Sequence, residues 1–286
     1  MPVSNHDLFL VVGGTGKTGR QVVTRLRERD ARVRVASRSG EQRFDWTDDR
    51  TWRPALQGVG GAYIVAPDEV TSVPAFLALA ADLGVERLVL LSARGVDVPG
   101  YYGDAYLGVE GHVRNEDALR STGVGWTILR PGWFAQNFSE GFFHAPILGG
   151  ELRLAAGDGA AAFVDTGDIA DVAVAALTED GHAGEVYELS GPRALTVSEA
   201  LAEIERVSGH TARYVAVPPD LFVRELAGQG WSRADAELWA AALAPVRTGR
   251  ETVIADGVRR ALGREATDFV EFARAAATAW RSESRP

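Results

Sequence analysis

The strongest constraint on the fold is a glycine-rich turn set between a short apolar run and an amphipathic segment. Gly13, Gly16 and Gly19 form G-x-x-G-x-x-G. They follow Leu8–Val12 (LFLVV), which suits a strand buried on both faces. They precede a helix pattern from Thr18 to about Glu28, with Val22, Val23 and Leu26 on one side and Arg25, Arg27 and Glu28 on the other. Glycines there permit a tight turn and let backbone approach a pyrophosphate, while the helix N-terminus offers free N–H groups and partial positive charge. The spacing alone is weak in a chain with 32 glycines, so its place between strand and helix carries the dinucleotide reading. Gly16-Lys17-Thr18 also mimics the end of a P-loop, but that motif needs glycine at position 11, which is Val11.

Further strands are expected at Val33–Ser37, Ala62–Ala66, Leu88–Ser92 and Trp126–Leu129. Helix patterns lie between them near 73–83 and 108–121, closed by Gly84 and Gly123. This alternation predicts an α/β protein with a doubly wound parallel sheet of Rossmann type. Residues 131–160 are rich in glycine and aromatics and show little periodicity. Asp168 is expected to cap the apolar helix IADVAVAAL, Val186–Leu189 reads as a strand, and Thr196 with Glu199 forms a capping box. The last part of the chain reads as mostly helical. The expected division is a dinucleotide-binding core over 1–132, completed by about 163–190. A small α/β substrate-binding subdomain and C-terminal helices take 133–162 and 191–286.

Composition narrows the chemistry. The chain carries net charge −9 and no cysteine, and of its 30 basic residues only Lys17 is lysine. Disulfides, thiolate nucleophiles and cysteine-based metal sites are excluded. An acidic chain without a basic run is a poor nucleic-acid binder. The N-terminus lacks a signal-peptide pattern, and apolar runs such as LVLL at 88–91 fall far short of the ~20 residues of a membrane helix. The expectation is a cytoplasmic protein with no metal, no nucleic-acid partner and no membrane partner.

The cofactor's phosphate is read after the second strand. An acid there would bind the 2′-hydroxyl of NAD; the sequence has Ala36-Ser37-Arg38-Ser39 and no acid before Glu41. Arg38 can pair with a 2′-phosphate, Ser37 can donate a hydroxyl, and Lys17 is a second candidate cation, so NADP(H) is expected.

Six segments, LVVGGTGKTG, VASRSG, FDWTDD, LVLLSA, WTILRPGWFAQNF and FVDTGDIADVAVAAL, resemble the NmrA-like branch of the atypical short-chain dehydrogenases. GGTGKTG with ASRSG and FDW is most similar to its ergot-alkaloid reductase-like subgroup. The resemblance covers Phe9 to about Pro218. It implies a phosphate loop of Gly13, Thr15, Gly16, Lys17, Thr18 and Gly19, with Ser37 and Arg38 at the adenosine phosphate. It places Asp45 and Trp46 near the adenine, although either acid, Asp45 or Asp168, would serve equally as a cap. It implies that Val65, Ala66 and Pro67 follow the cofactor and that Arg130-Pro131-Gly132 ends a strand near the nicotinamide.

The wider family uses Tyr-x-x-x-Lys, in which the lysine lowers a phenol pKa. That dyad cannot form here: four residues after Tyr101, Tyr102 and Tyr106 stand Ala105, Tyr106 and Glu110. Ser92 remains a candidate hydrogen-bond donor to substrate, Tyr102 and Tyr106 could close the site, and His112 is either an alternative acid tuned by Glu116 or half of a surface His–Glu pair. A metal at His112 and Glu116 would lack a third ligand. Trp133, Phe134 and Phe138, with Phe142 and Phe143 beyond, could line a pocket for a flat substrate, although several of them serve equally well as core.

A site without the dyad suits an electrophile that needs little acid help, such as a quinone or an iminium compound. The expected activity is NADPH-dependent reduction of a small aromatic electrophile, with a role in secondary metabolism implied by the resemblance. The alternatives are a non-catalytic NADP(H) sensor that recruits a regulatory protein, or a quinone reductase serving a separate oxygenase. A homodimer fits either. Arg38→Asp is expected to weaken NADPH binding while sparing NADH, measured by titration of each; equal loss for both would remove the 2′-phosphate argument.

Overall fold

The computed structural model of the chain describes residues 8–38, 40–67, 70–103 and 108–281. Its strands are β1 (Leu8–Val12), β2 (Arg32–Ser37), β3 (Gln42–Arg43), β4 (Gly61–Ile64), β5 (Arg87–Leu91), β6 (Gly125–Pro131), β7 (Glu151–Leu154), β8 (Ala160–Ala161), β9 (Glu185–Leu189), β10 (Leu195–Thr196) and β11 (Arg213–Ala216). A seven-stranded sheet runs β3-β2-β1-β4-β5-β6-β9, with every pair parallel. This is the Rossmann-type α/β arrangement. The order reverses between β1 and β4, which opens a crevice at the carboxyl ends of the strands.

Period-two alternation divides β1 between two cores. Phe9 and Val11 face Val22, Leu26, Ile169 and Val172, contributed by helices Gly19–Glu28 and Thr166–Thr178. Leu10 and Val12 face Trp52, Phe76, Leu88 and Leu119 on the other side. Both faces are dry, which is why β1 reads as an unbroken apolar run.

A further core lies outside the large sheet. It gathers Phe138, Phe143, Leu152, Phe163, Ile204, Phe222, Phe269 and Trp280. β7 pairs in parallel with β11, Glu151 against Arg213, and β8 pairs with β10. These pairings join distant segments, so residues 131–160 carry no local period despite containing β7 and the short helices Asn137–Glu140 and His144–Leu148. The helices Pro219–Gly228, Arg233–Ala242 and Phe269–Ala275 make the C-terminal part mostly helical. Among the described residues no helix is long and apolar enough to cross a membrane.

The capping box forms as expected, with Thr196 and Glu199 bonding reciprocally. The cap expected at Asp168 is instead Asp165, whose extended backbone lets its carboxylate accept from Gly167 N at 2.6 Å. Asp168 lies inside the helix, buried, and accepts from Thr267 N and Oγ1 at 2.7 and 3.0 Å. It ties the C-terminal segment to this helix.

Phe138 belongs to the core rather than to a pocket. Its ring meets Phe143, Phe163 and Phe269 edge-on at 5.0–5.2 Å, and its carbonyl accepts from Trp280 Nε1 at 2.9 Å. Phe138→Ala is expected to cost ~3–5 kcal/mol, the usual range for emptying an aromatic site. Denaturant unfolding measures it, and a loss below about 1 kcal/mol would contradict this packing.

Candidate functional site

The glycine turn leaves β1 and enters helix Gly19–Glu28. Gly13 adopts φ +76°, and its N–H bonds to Ala36 O on β2 at 3.0 Å. A side chain at Gly19 would strike the Gly13 carbonyl, so helix and turn meet at a distance that only glycine allows. Thr18, buried, precedes the helix without capping it through its side chain, and no acid lies in the first turn. That end keeps its partial positive charge for an anion.

Beside the turn lies a cleft of about 500 Å³. Gly13, Thr15 and Gly16 line it with Ser37, Arg38, Asp45, Trp46, Val65, Ala66 and Pro67. Ten of the expected cofactor residues therefore meet in one place, contributed by the end of β2 and the segments after β1, β2, β3 and β4. Ser37 Oγ is buried without a hydrogen-bond partner, while Arg38 is exposed. An orphaned hydroxyl beside a guanidinium fits a phosphate. Asp45 folds back on its own turn, accepting from Thr47 N and Oγ1 at 2.9 and 2.8 Å, and these bonds hold its carboxyl below the usual carboxylate range. Trp46 is braced edge-on by Phe44 and Phe76. These residues fit a dinucleotide's adenosine end.

A second cavity of about 270 Å³ lies at the carboxyl ends of β5 and β6. Ser92, Tyr102, Pro131, Trp133 and Phe134 line it, as does Lys17. Lys17 therefore departs from the second role given to it: its amine leaves the Ser37–Arg38 cleft and donates to Asn137 Oδ1 at 2.7 Å. Burial pushes that amine below its ordinary value, with Glu140 opposing the shift. Trp133 stacks on Phe143 at 5.8 Å.

The candidate proton donors are placed differently from one another. Ser92 Oγ donates to Glu116 Oε1 at 2.7 Å. Arg130 grips the same carboxylate in bidentate fashion, Nε to Oε1 at 2.9 Å and Nη2 to Oε2 at 2.7 Å, and Arg120 adds a bond at 2.9 Å. Ser92's proton is thus committed to a buried ion pair. Arg130, expected near the nicotinamide with Pro131, is held in the same pair. His112 lies on helix Gly108–Arg120 but lines neither cavity, and the bonds fixing Glu116 come from Ser92, Arg120 and Arg130. The Glu116 carboxylate is thus held by two guanidiniums and a hydroxyl. Tyr102 OH donates to Arg94 O at 2.6 Å. Tyr106 lies outside the described residues.

One acid on the wall was not anticipated. Glu251, in the short 3₁₀ turn Arg250–Thr252, is 2% exposed and lines the second cavity. Tyr101 OH donates to its Oε1 at 2.9 Å, and its Oε2 has no hydrogen-bond partner. Burial raises this carboxyl above its usual range, against the opposing effects of Arg94 and the Tyr101 bond. No motif surrounds Glu251, and more than a hundred residues separate it from Pro131, so only the folded chain brings it here.

Known proteins resemble this chain. A family pattern described as NAD(P)H-binding matches residues 13–180. An NAD(P)H azoreductase of Xenophilus azovorans is 34% identical over 96% of this chain and 99% of its own. An agroclavine dehydrogenase of Claviceps fusiformis is 30% identical over 92% of this chain and 95% of its own. The crystal structure of an NADPH-dependent quinone oxidoreductase of Escherichia coli complexed with NADPH matches the fold with a TM-score of 0.74. It is 22% identical and covers 93% of this chain and 98% of its own.

The Glu116 pair makes a pH prediction. Burial alone would raise Glu116, but the bonds from Arg130, Ser92 and Arg120 outweigh it and lower its pKa. A depressed folded pKa gives stability that is present above the unfolded value and lost as pH falls through the folded one. Glu116→Gln is expected to cost ~3 kcal/mol near neutrality, with the gap from the parent closing in acid. Denaturant unfolding across pH checks this, and a pH-independent gap would contradict it.

Proposed function

The chain belongs to the NAD(P)H-binding family, and from that membership we propose that this NAD(P)H-dependent oxidoreductase is an NADPH-dependent reductase of small, flat aromatic electrophiles. Quinones, azo compounds and iminium compounds are the classes that suit it. The carrying observation is the second cavity: aromatic side chains, Trp133 and Phe134, at the carboxyl end of β6, with the chain's single lysine tied to Asn137.

The residues divide the work. Gly13, Gly16 and Gly19 would let the diphosphate approach the backbone, and the uncapped helix end would balance its charge. Ser37 and Arg38 would take the 2′-phosphate, which favours NADPH over NADH. Pro131 and Gly132 would border the nicotinamide. Bound NADPH supplies a hydride. Trp133 and Phe134 would hold an aromatic ring against it and exclude water. No lysine follows a tyrosine by four residues, the single lysine donates to Asn137, and Tyr102 spends its proton on a carbonyl. An unactivated ketone needs stronger proton help than an electrophile that is cationic or gains aromaticity on reduction.

The relatives support this reading from their own side, since the azoreductase and the quinone oxidoreductase carry names of such acceptors. The agroclavine dehydrogenase relative agrees with a role in secondary metabolism. The test is NADPH and NADH oxidation across quinones, azo dyes, iminium compounds and unactivated ketones. Turnover is expected with the first three classes and with NADPH preferred. Turnover of ketones alone would contradict the substrate class, and tight NADPH binding without oxidation would favour the sensor.

A further inference from the structure

We propose that Glu251 is the proton donor of this reductase, holding a carboxylic acid proton on Oε2 and passing it to the substrate atom that gains electron density as hydride arrives. The inference rests on the reductase reading of the same cavity.

Four geometric facts carry it. Glu251 is buried in the wall of that cavity. Tyr101 OH occupies Oε1 at 2.9 Å, which leaves the acid proton to Oε2. Oε2 has no hydrogen-bond partner and only a long ion pair with Arg94, a ready state for an acid awaiting an acceptor. Gly132, also in the wall, keeps the space open, since a Cβ there would lie 2.9 Å from Oε2.

The surrounding charges are few. Arg94 Nη1 stands 3.8 Å from Oε2, beyond hydrogen-bonding distance, and Arg94 Nε lies 3.7 Å from Glu188. Arg94 and the Tyr101 bond favour the carboxylate, while burial, the larger effect, and Glu188 favour the acid. Lys17 and Tyr102 line the same cavity, but Lys17 donates to Asn137, Tyr102 to a carbonyl, and Ser92 to Glu116.

The step balances without another reactant. Hydride brings two electrons and one hydrogen to the acceptor, and the dinucleotide is oxidised. The Oε2–H bond of Glu251 breaks and an O–H or N–H bond forms. A quinone becomes a hydroquinone and an azo group a hydrazine. The carboxylate then regains a proton from water. A cationic triarylmethane dye takes hydride alone and needs no proton, so the two acceptor classes report separately on the acid.

Glu251→Gln is expected to lower the ratio of azo-dye to cationic-dye reduction by about 100-fold. With the azo dye, the parent's rate should fall as pH rises through the Glu251 pKa, and the variant should lack that limb. Tyr101→Phe removes a bond that lowers the pKa and keeps the carboxyl, so the limb should move to higher pH. Infrared spectra of the ligand-free proteins near neutral pH should show a carboxylic acid carbonyl band in the parent that Glu251→Gln lacks. An unchanged ratio with the alkaline limb retained, or the absence of that band in the parent, would overturn the donor role alone. A parent that oxidises NADPH with no acceptor would overturn the reductase reading and the donor role together.

Discussion

The buried pair between Arg130 and Glu116 organises the carboxyl edge of the sheet. Arg130 stands on β6 and Glu116 on helix Gly108–Arg120, and Ser92 at the end of β5 joins them through its hydroxyl. Asp97 takes the remaining arm of Arg130. Two buried charges are costly to desolvate, so the arrangement persists only because nearly every lone pair and N–H finds a partner. That requirement fixes where β5 and β6 end relative to one another. Pro131 to Phe134 then turn away from the sheet as one wall of the cavity.

The same pair explains why proton chemistry moves elsewhere. It consumes Ser92, which sits where a donor to substrate would be sought, and it holds the Glu116 carboxylate in charge-assisted bonds. The acid left on the cavity wall with an oxygen free of hydrogen bonds is Glu251. It comes from the C-terminal part of the chain, which Asp168 ties down through Thr267. Apart from Lys17, which lines the cavity, the cleft beside the glycine turn and the cavity draw on different parts of the sequence. β1 to β4 build the first; β5, β6 and the C-terminal segment build most of the second.

Legibility followed the same division. β1 was readable to the residue because a strand covered on both faces is an unbroken apolar run, and the glycine turn because its spacing serves one short-range purpose. The cleft residues from Gly13 to Pro67 could be assembled because each follows a strand directly. Asp168 misled because two acids stand three residues apart before one helix, and backbone conformation decides which of them caps. Phe138 misled because an aromatic after a strand fits a pocket or a core equally well until Phe163 and Phe269 pack on it. β7 and β11 left no pattern, since their pairing spans some sixty residues. Glu251 was invisible for the same reason: its role depends on contacts with Tyr101 and Gly132, not on neighbours in sequence.

Both halves of the account meet in the claim that hydride passes directly from the dinucleotide to an acceptor held by Trp133 and Phe134. The most direct test is a single turnover with NADPH deuterated at the transferring position of C4 and a cationic triarylmethane dye as acceptor, followed by mass analysis of the product. The account predicts one deuterium on the central carbon of the reduced dye and a slowed transfer step. Product formed without deuterium from either face of C4, or bound NADPH that persists unoxidised, would contradict it.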